Sequence, residues 1–236
     1  SETNVPHADN VSYFGNGRDE VHMVYQFPLP PLMVHSLQTG DARAATAWME
    51  TIAPVSESAT YFNFLSSHDG IGVIPAQAWL SEAELAAMID RVSASGGQIS
   101  YRADGAGGQS PYEMNVVYFE ALSRPDEAEE VRIAKFLAAH AVLLSFVGVP
   151  AIYIHSLLGS LNDQEGFRTS GIKRRINREK LDFDAVSAEL ERSGHRRRRV
   201  FEALAAMIRA RRGLAAFHPM GGISVHRLDP RLICYT

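Results

Sequence analysis

The stretch that most constrains this chain runs Tyr61-Phe62-Asn63-Phe64-Leu65-Ser66-Ser67-His68-Asp69-Gly70. An aromatic and aliphatic run of strand length stops at Ser66, and a polar pair, His68-Asp69, and a glycine follow. Taken alone, the pattern suits a strand that leaves its sheet through an Asp-Gly turn. In a parallel α/β barrel the same pattern carries more: strand interiors supply packing, and chemistry sits where the strands stop. The opening residues tip the balance. Ser1-Glu2-Thr3-Asn4-Val5-Pro6-His7 is polar, lacks a helical period and contains Pro6, so it reads as the exit of a strand whose body lies upstream. Two strand exits, each with a carboxylate, are then brought to one end of a sheet.

The segments between and after these exits alternate as a parallel sheet requires. Val21–Phe27 reads as a strand, broken by Pro28-Leu29-Pro30-Pro31. A helix follows over 32–37 and Gly40 stops it. Asp41 caps a second helix to about Ile52, with Ala44, Ala45, Trp48 and Met49 on one face, and the strand 60–66 comes next. The loop Ala8–Asp19 carries Tyr13 and Phe14, either a lid or sugar-stacking surface or simply packing beneath the loop. A long excursion occupies about 70–125. In it, the capping box Ser81-Glu82-Ala83-Glu84 starts a helix to Ser93, 98–110 reads as a flexible Gly/Ser/Gln loop, and a short helix spans about 115–122. Asp126–Phe146 is the strongest helix and should be buried. Val149–Ile154 reads as a strand leading to His155, and helices are expected at about 182–192 and 196–212. His195-Arg196-Arg197-Arg198-Arg199 reads as a solvated helix face. After Gly213, Ile223–Tyr235 alternates well enough for two strands. The expected division is therefore 1–213, the C-terminal half of a (β/α)8 barrel, and 214–236, the start of a small C-terminal β domain.

With 236 residues and a net charge of −4, nothing points to a nucleic-acid or anionic-membrane partner. A single cysteine, Cys234, excludes a disulfide framework within the chain and favours an intracellular, cytoplasmic setting. No apolar run reaches transmembrane length. Both ends read as cuts, so a fragment is expected. Metal-binding motifs, a P-loop, a dinucleotide-binding glycine pattern and a nucleophile elbow are all missing, so neither metal nor cofactor is expected. What remains is Glu2 and Asp69 at strand ends, and paired carboxylates across a barrel mouth are the equipment of glycoside chemistry.

The residues then carry a resemblance. Glu2–His7, Phe27-Pro28-Leu29-Pro30-Pro31-Leu32, Asn63–Gly72, Ser110-Pro111-Tyr112-Glu113-Met114-Asn115 and Arg174-Arg175-Ile176-Asn177-Arg178 are similar to motifs of the sucrose phosphorylase group of the α-amylase superfamily, glycoside hydrolase family 13. Within the group the wording is nearest to the glucosylglycerate phosphorylases. The resemblance implies strands five to eight of the barrel, with the first half, which bears the nucleophilic aspartate, not in this sequence. It implies Glu2 as general acid/base and Asp69 as the carboxylate that stabilises the transition state. His68 and Arg174 would hold the glucosyl ring, and Tyr112 would sit on the loop that serves both acceptor and phosphate. Asn115 joins these as a substrate-binding candidate. The implied partners are a small α-glucoside and inorganic phosphate. Ser110 stands where sucrose phosphorylases carry an acid for fructose, which favours another aglycone. An α-glucosidase that uses water and a non-catalytic barrel relic remain as alternatives.

Overall fold

The computed structural model describes every residue except Asn4, Asp104 and Ala106. One position of the opening motif and two of the expected 98–110 loop therefore lie outside the described residues. In chain order the strands are β1 (Met23–Tyr25), β2 (Thr60–Asn63), β3 (Ile71–Gly72), β4 (Gln98–Ala103), β5 (Gln109–Asn115) and β6 (Val149–Pro150). The first five helices are α1 (His7–Ser12), α2 (Leu29–Thr39), α3 (Arg43–Met49), α4 (Glu82–Ala94) and α5 (Tyr118–Ala121). They are followed by α6 (Glu129–Ser145), α7 (Ile154–Leu157), α8 (Gln164–Ser170), α9 (Phe183–Glu191) and α10 (Arg196–Arg212).

Parallel pairing organises the first sheet, in the order β1-β2-β6. Val24 lies opposite Tyr61, and Phe62 opposite Val149. The pairing runs on past the strands, with Gln26 N–H on Phe62 O at 2.9 Å and Ala151 N–H on Asn63 O at 2.8 Å. Ser1 joins at the far edge: its amino group donates to Met23 O at 2.7 Å and its carbonyl accepts from Tyr25 N–H at 3.2 Å. Two such bonds straddling Val24 are the step of a parallel ladder. The strands alternate by side-chain face. Val24 and Tyr61 are buried against the helices, while Tyr25, Phe27, Phe62 and Phe64 form an aromatic cluster with centroid spacings from 4.5 Å to 5.8 Å.

The helices that cover the sheet start and stop for local reasons. Pro30 and Pro31 do not break α2 but sit in its first turn, where a missing N–H costs nothing, so the helix begins three residues before its expected start. Gly40, with φ 74°, ends it. The Ser81–Glu84 capping box is formed as the sequence indicates. In α6, Ile133, Phe136, Ala139, His140, Leu143 and Leu144 are buried, the spacing of an inward helix face. Trp48 of α3 packs on Phe146 at 5.5 Å.

Several expectations are corrected. Most of the expected 98–110 loop is strand: β4 (Gln98–Ala103) and β5 (Gln109–Asn115) pair antiparallel, and β3 extends them into a second sheet, β3-β5-β4. Long-range partners explain this, because Lys173 Nζ donates to Ile99 O at 2.6 Å and β3 pairs along β5. The 149–154 strand shortens to two residues before α7 begins. Phe14 is core, packed edge-on against Tyr61 at 5.2 Å. The arginine run is no solvated face. Arg197 is 7% exposed and donates to Leu158 O and Ser160 Oγ, and Arg196 donates to Gly159 O. These guanidinium groups satisfy carbonyls left over where α7 ends. In 223–235 the strand signal reduces to one antiparallel bridge, Val225 to Tyr235. That segment lies on α3 and α6, through Ala42 N–H on Pro230 O at 2.7 Å and Tyr235 Oη with Ser145 Oγ at 2.6 Å.

Candidate active site

At the C-terminal ends of the parallel strands a cleft of about 280 Å³ opens, and Glu2, Phe64, His68, Asp69, Tyr112, Glu113 and Arg174 are among the residues that line it. Separate stretches of chain build it. Glu2 follows the residue that pairs with β1. Its side chain lines the cleft with Phe27 and Phe64, and the Tyr25 phenol is pushed up first by burial and then by the Glu2 charge. Asp69 and His68 stand on the segment 64–70, which leaves β2 and enters β3. Tyr112 and Glu113 come from β5, which lies over the strand ends because Gly72 pairs with Glu113 and Ile71 with Met114. A side chain at Gly70 would meet Met114 O at 2.5 Å, so only glycine lets the hairpin approach this closely.

Charge and hydrogen bonding fix the carboxylate. Asp69 Oδ1 is ion-paired with Arg174 Nη1 at 2.7 Å and accepts from Arg178 Nη2 at 3.0 Å. His68 Nε2 is 3.7 Å from the same oxygen, and its ring is largely exposed to the cleft. Beneath them, Asn177 Nδ2 lies within hydrogen-bonding distance of three carbonyls, Ser67 O at 3.2 Å, His68 O at 3.1 Å and Asp69 O at 3.0 Å. The backbone that carries Asp69 is thus clamped to the short helical turn Lys173–Asn177. Arg174 turns its Nε and Nη2 toward Glu113, at 3.1 Å and 2.7 Å from the two carboxylate oxygens. Those bonds, then the charges of Glu113 and Asp69, hold the Arg174 guanidinium above its ordinary pKa. Arg102 lies over the Tyr112 ring, 5.7 Å from its centroid. Such a site can hold a sugar ring through its hydroxyls and place negative charge beside a carbon that becomes positive.

Of the six residues singled out in the sequence, the structure brings Glu2, His68, Asp69, Tyr112 and Arg174 to this cleft. Asn115 lies outside it, fully buried in the hairpin, with Nδ2 donating to Gln98 O at 3.2 Å and Ser100 Oγ at 2.8 Å. Three residues that matter here were passed over: Glu113, Asn177 and Arg178. All three sit inside motifs quoted for the resemblance. A buried acid such as Glu113 needs a cation, and Arg174 was the available one. Among the described residues no three His, Cys, Asp and Glu side chains gather to hold a metal ion, and no helix is long and apolar enough to cross a membrane.

No family model matches the chain. Its sequence is 47% identical over 221 residues to the glucosylglycerate phosphorylase of Allomeiothermus silvanus, covering 93% of this chain and 40% of that relative. It is 44% identical over 229 residues to the glucosylglycerate phosphorylase of Escherichia coli, covering 97% and 41%. The sucrose phosphorylase of Bifidobacterium adolescentis is 30% identical over 228 residues, covering 92% and 41%. Among solved structures, sucrose 6F-phosphate phosphorylase from Thermoanaerobacter thermosaccharolyticum superimposes with a TM-score of 0.80 at 21% identity, over 99% of this chain and 44% of that one. The fold is that of the α/β barrel of the α-amylase superfamily. Within it, the chain belongs to the sucrose phosphorylase group, and it spans about 40% of the length of the curated relatives it matches.

Proposed function

We propose that these residues form the acid/base side of a retaining α-glucoside phosphorylase, acting on glucosylglycerate or a sucrose-like glucoside. Glu2 protonates the leaving glycosidic oxygen, and a carboxylate supplied outside these 236 residues attacks the anomeric carbon. Asp69 stabilises the positive charge that develops there, and His68 and Arg174 hold the ring. Phosphate then displaces the covalent glucosyl unit, with Glu2 taking its proton, and gives α-glucose 1-phosphate after two inversions. Tyr112, which lines the cleft from β5, donates to that phosphate. The observation that carries this reading is the meeting of Glu2, His68, Asp69, Tyr112 and Arg174, picked from four separate stretches of sequence, in one cleft at strand ends.

A cytoplasmic setting belongs to the proposal, because the reaction consumes phosphate and releases a sugar phosphate. So does a domain boundary at Gly213. The test incubates the full-length protein with glucosylglycerate or sucrose, with and without phosphate, and separates glucose from glucose 1-phosphate. Phosphate-dependent glucose 1-phosphate is expected. Free glucose at one rate in both conditions would make the protein a hydrolase, and no turnover of any α-glucoside would leave a binding module.

A further inference from the structure

Glu113 is 3% exposed, yet it carries a carboxylate. Burying an unpaired carboxylate costs several kcal/mol, so its partners say what it is for. Oε1 accepts from Gly70 N–H and from Arg174 Nε, and Oε2 accepts from Arg174 Nη2. The remaining arm of the same guanidinium, Nη1, reaches Asp69. Asp69 and Gly70 are consecutive, so the four residues close a ring: Asp69, Gly70, Glu113, Arg174 and back to Asp69. The ring ties together the exit of β2, the strand β5 and the turn Lys173–Asn177.

From this circuit we infer that Glu113 is a positioning residue for Asp69, acting through Arg174; the inference rests on Asp69 being the stabilising carboxylate proposed above. Glu113 acts in two ways. It fixes the plane of the guanidinium, because a carboxylate that engages Nε and Nη2 together leaves Arg174 little freedom to rotate. It also balances charge. Asp69 faces two cations, Arg174 and Arg178. With Glu113 present, two carboxylates share two guanidinium groups. Without it, both cations bear on Asp69 alone and mask the negative charge that the transition state needs. The two substitutions remove these contributions in steps. In Glu113→Gln the amide oxygen still accepts from Gly70 N–H and Arg174 Nε, while the charge and the bond from Arg174 Nη2 are gone. In Glu113→Ala the remaining bonds are gone too.

The experiment has a kinetic arm and a structural arm. In the full-length protein, wild type, Glu113→Gln and Glu113→Ala are assayed on α-glucosyl fluoride, whose leaving group needs no particular aglycone site, with rates normalised to folded protein. The expected result is a loss in kcat of about 10-fold for Gln and about 100-fold for Ala, with KM changed by no more than about threefold. A merely structural role would lower the folded fraction and leave kcat unchanged, which would overturn the inference. In crystals of Glu113→Ala, the Arg174 guanidinium is expected to turn out of its present plane toward Asp69; a guanidinium that keeps its plane and its single 2.7 Å contact with Asp69 would also overturn it. If wild type cleaves α-glucosyl fluoride but makes no glucose 1-phosphate from glucosylglycerate, the phosphorylase reading fails while the Glu113 comparison is still decided. If wild type cleaves nothing, the structural arm decides alone.

Discussion

Two neighbouring parallel strands of one sheet, β2 and β6, each lead five residues on to a histidine, and the two histidines end in opposite surroundings. After β2, His68 is largely exposed and stands beside Asp69 in the cleft. After β6, the chain turns into α7 and His155 is 6% exposed, its Nδ1 paired with Ser160 Oγ at 3.0 Å. Burial, then the Arg197 charge, lowers the His155 pKa. Position at a strand end is thus not enough to make a site. What separates the two is what lies above them. The β2 exit meets a hairpin that brings Glu113 and Tyr112, whereas the β6 exit is roofed by α10, whose arginines consume its free carbonyls.

The comparison is sharpened most by charge removal at the first exit. Asp69→Asn in the full-length protein should lower kcat by about 10²–10³-fold, whereas His155→Ala should leave kcat per folded molecule within a few fold. The reverse ranking in steady-state assays would break the contrast. Next comes Tyr112→Phe, expected to slow phosphorolysis by about 10- to 100-fold relative to hydrolysis, the worth of one hydrogen bond to a charged group. Product analysis with and without phosphate reads this ratio.

A third effect lies away from the cleft. His140, enclosed in α6 against Phe136 and Tyr118, has its pKa lowered by burial to about 4, from an unfolded value near 6.5. Its folded pKa is depressed, so the unfolded chain binds the proton first. Stability is therefore full above about pH 6.5 and falls as pH drops toward 4, by up to about 3 kcal/mol. His155 acts in the same direction. Urea midpoints at pH 7 and pH 5 should differ, and His140→Leu should shrink the difference; an unchanged slope would place the proton elsewhere. The smallest effect is expected from Asn177→Ala, which frees the carbonyls of residues 67–69 at a cost of about 1–3 kcal/mol. Thermal unfolding reads the stability cost, and kcat reads whether Asp69 has moved.

How much of this was legible in the sequence follows from where the partners lie. The capping box at Ser81–Glu84 and the Gly40 stop are local, and both were readable. The β2 exit was readable because its apolar run and its polar end are contiguous. The hairpin β4–β5 was not, since Gly, Ser and Gln disfavour strands and the backbone pairing that overrides them comes from β3 and Lys173, remote in sequence. Glu113 was invisible for the same reason: its partner Arg174 is 61 residues away. The buried Arg197 was misread because a run of four arginines looks solvated until the carbonyls waiting beneath it are known. Asn115 erred the other way. Its motif neighbours Tyr112 and Glu113 line the cleft, but Asn115 turns into the hairpin and bonds to Gln98 O and Ser100 Oγ.

The pairing of β3 with β5 also decides which lengths of chain can change. Seven residues, 64–70, cross from one sheet to the other, with both ends fixed by ladders of set register. One residue added there would either slip Ile71 off Met114, turning its buried side chain to the opposite face, or bulge outward and carry Asp69 out of reach of Arg174. At the hairpin turn the reverse holds. Gly105 and Gly107 have open space where a side chain would go. Insertions should accumulate there among homologous sequences, while the crossing keeps one length.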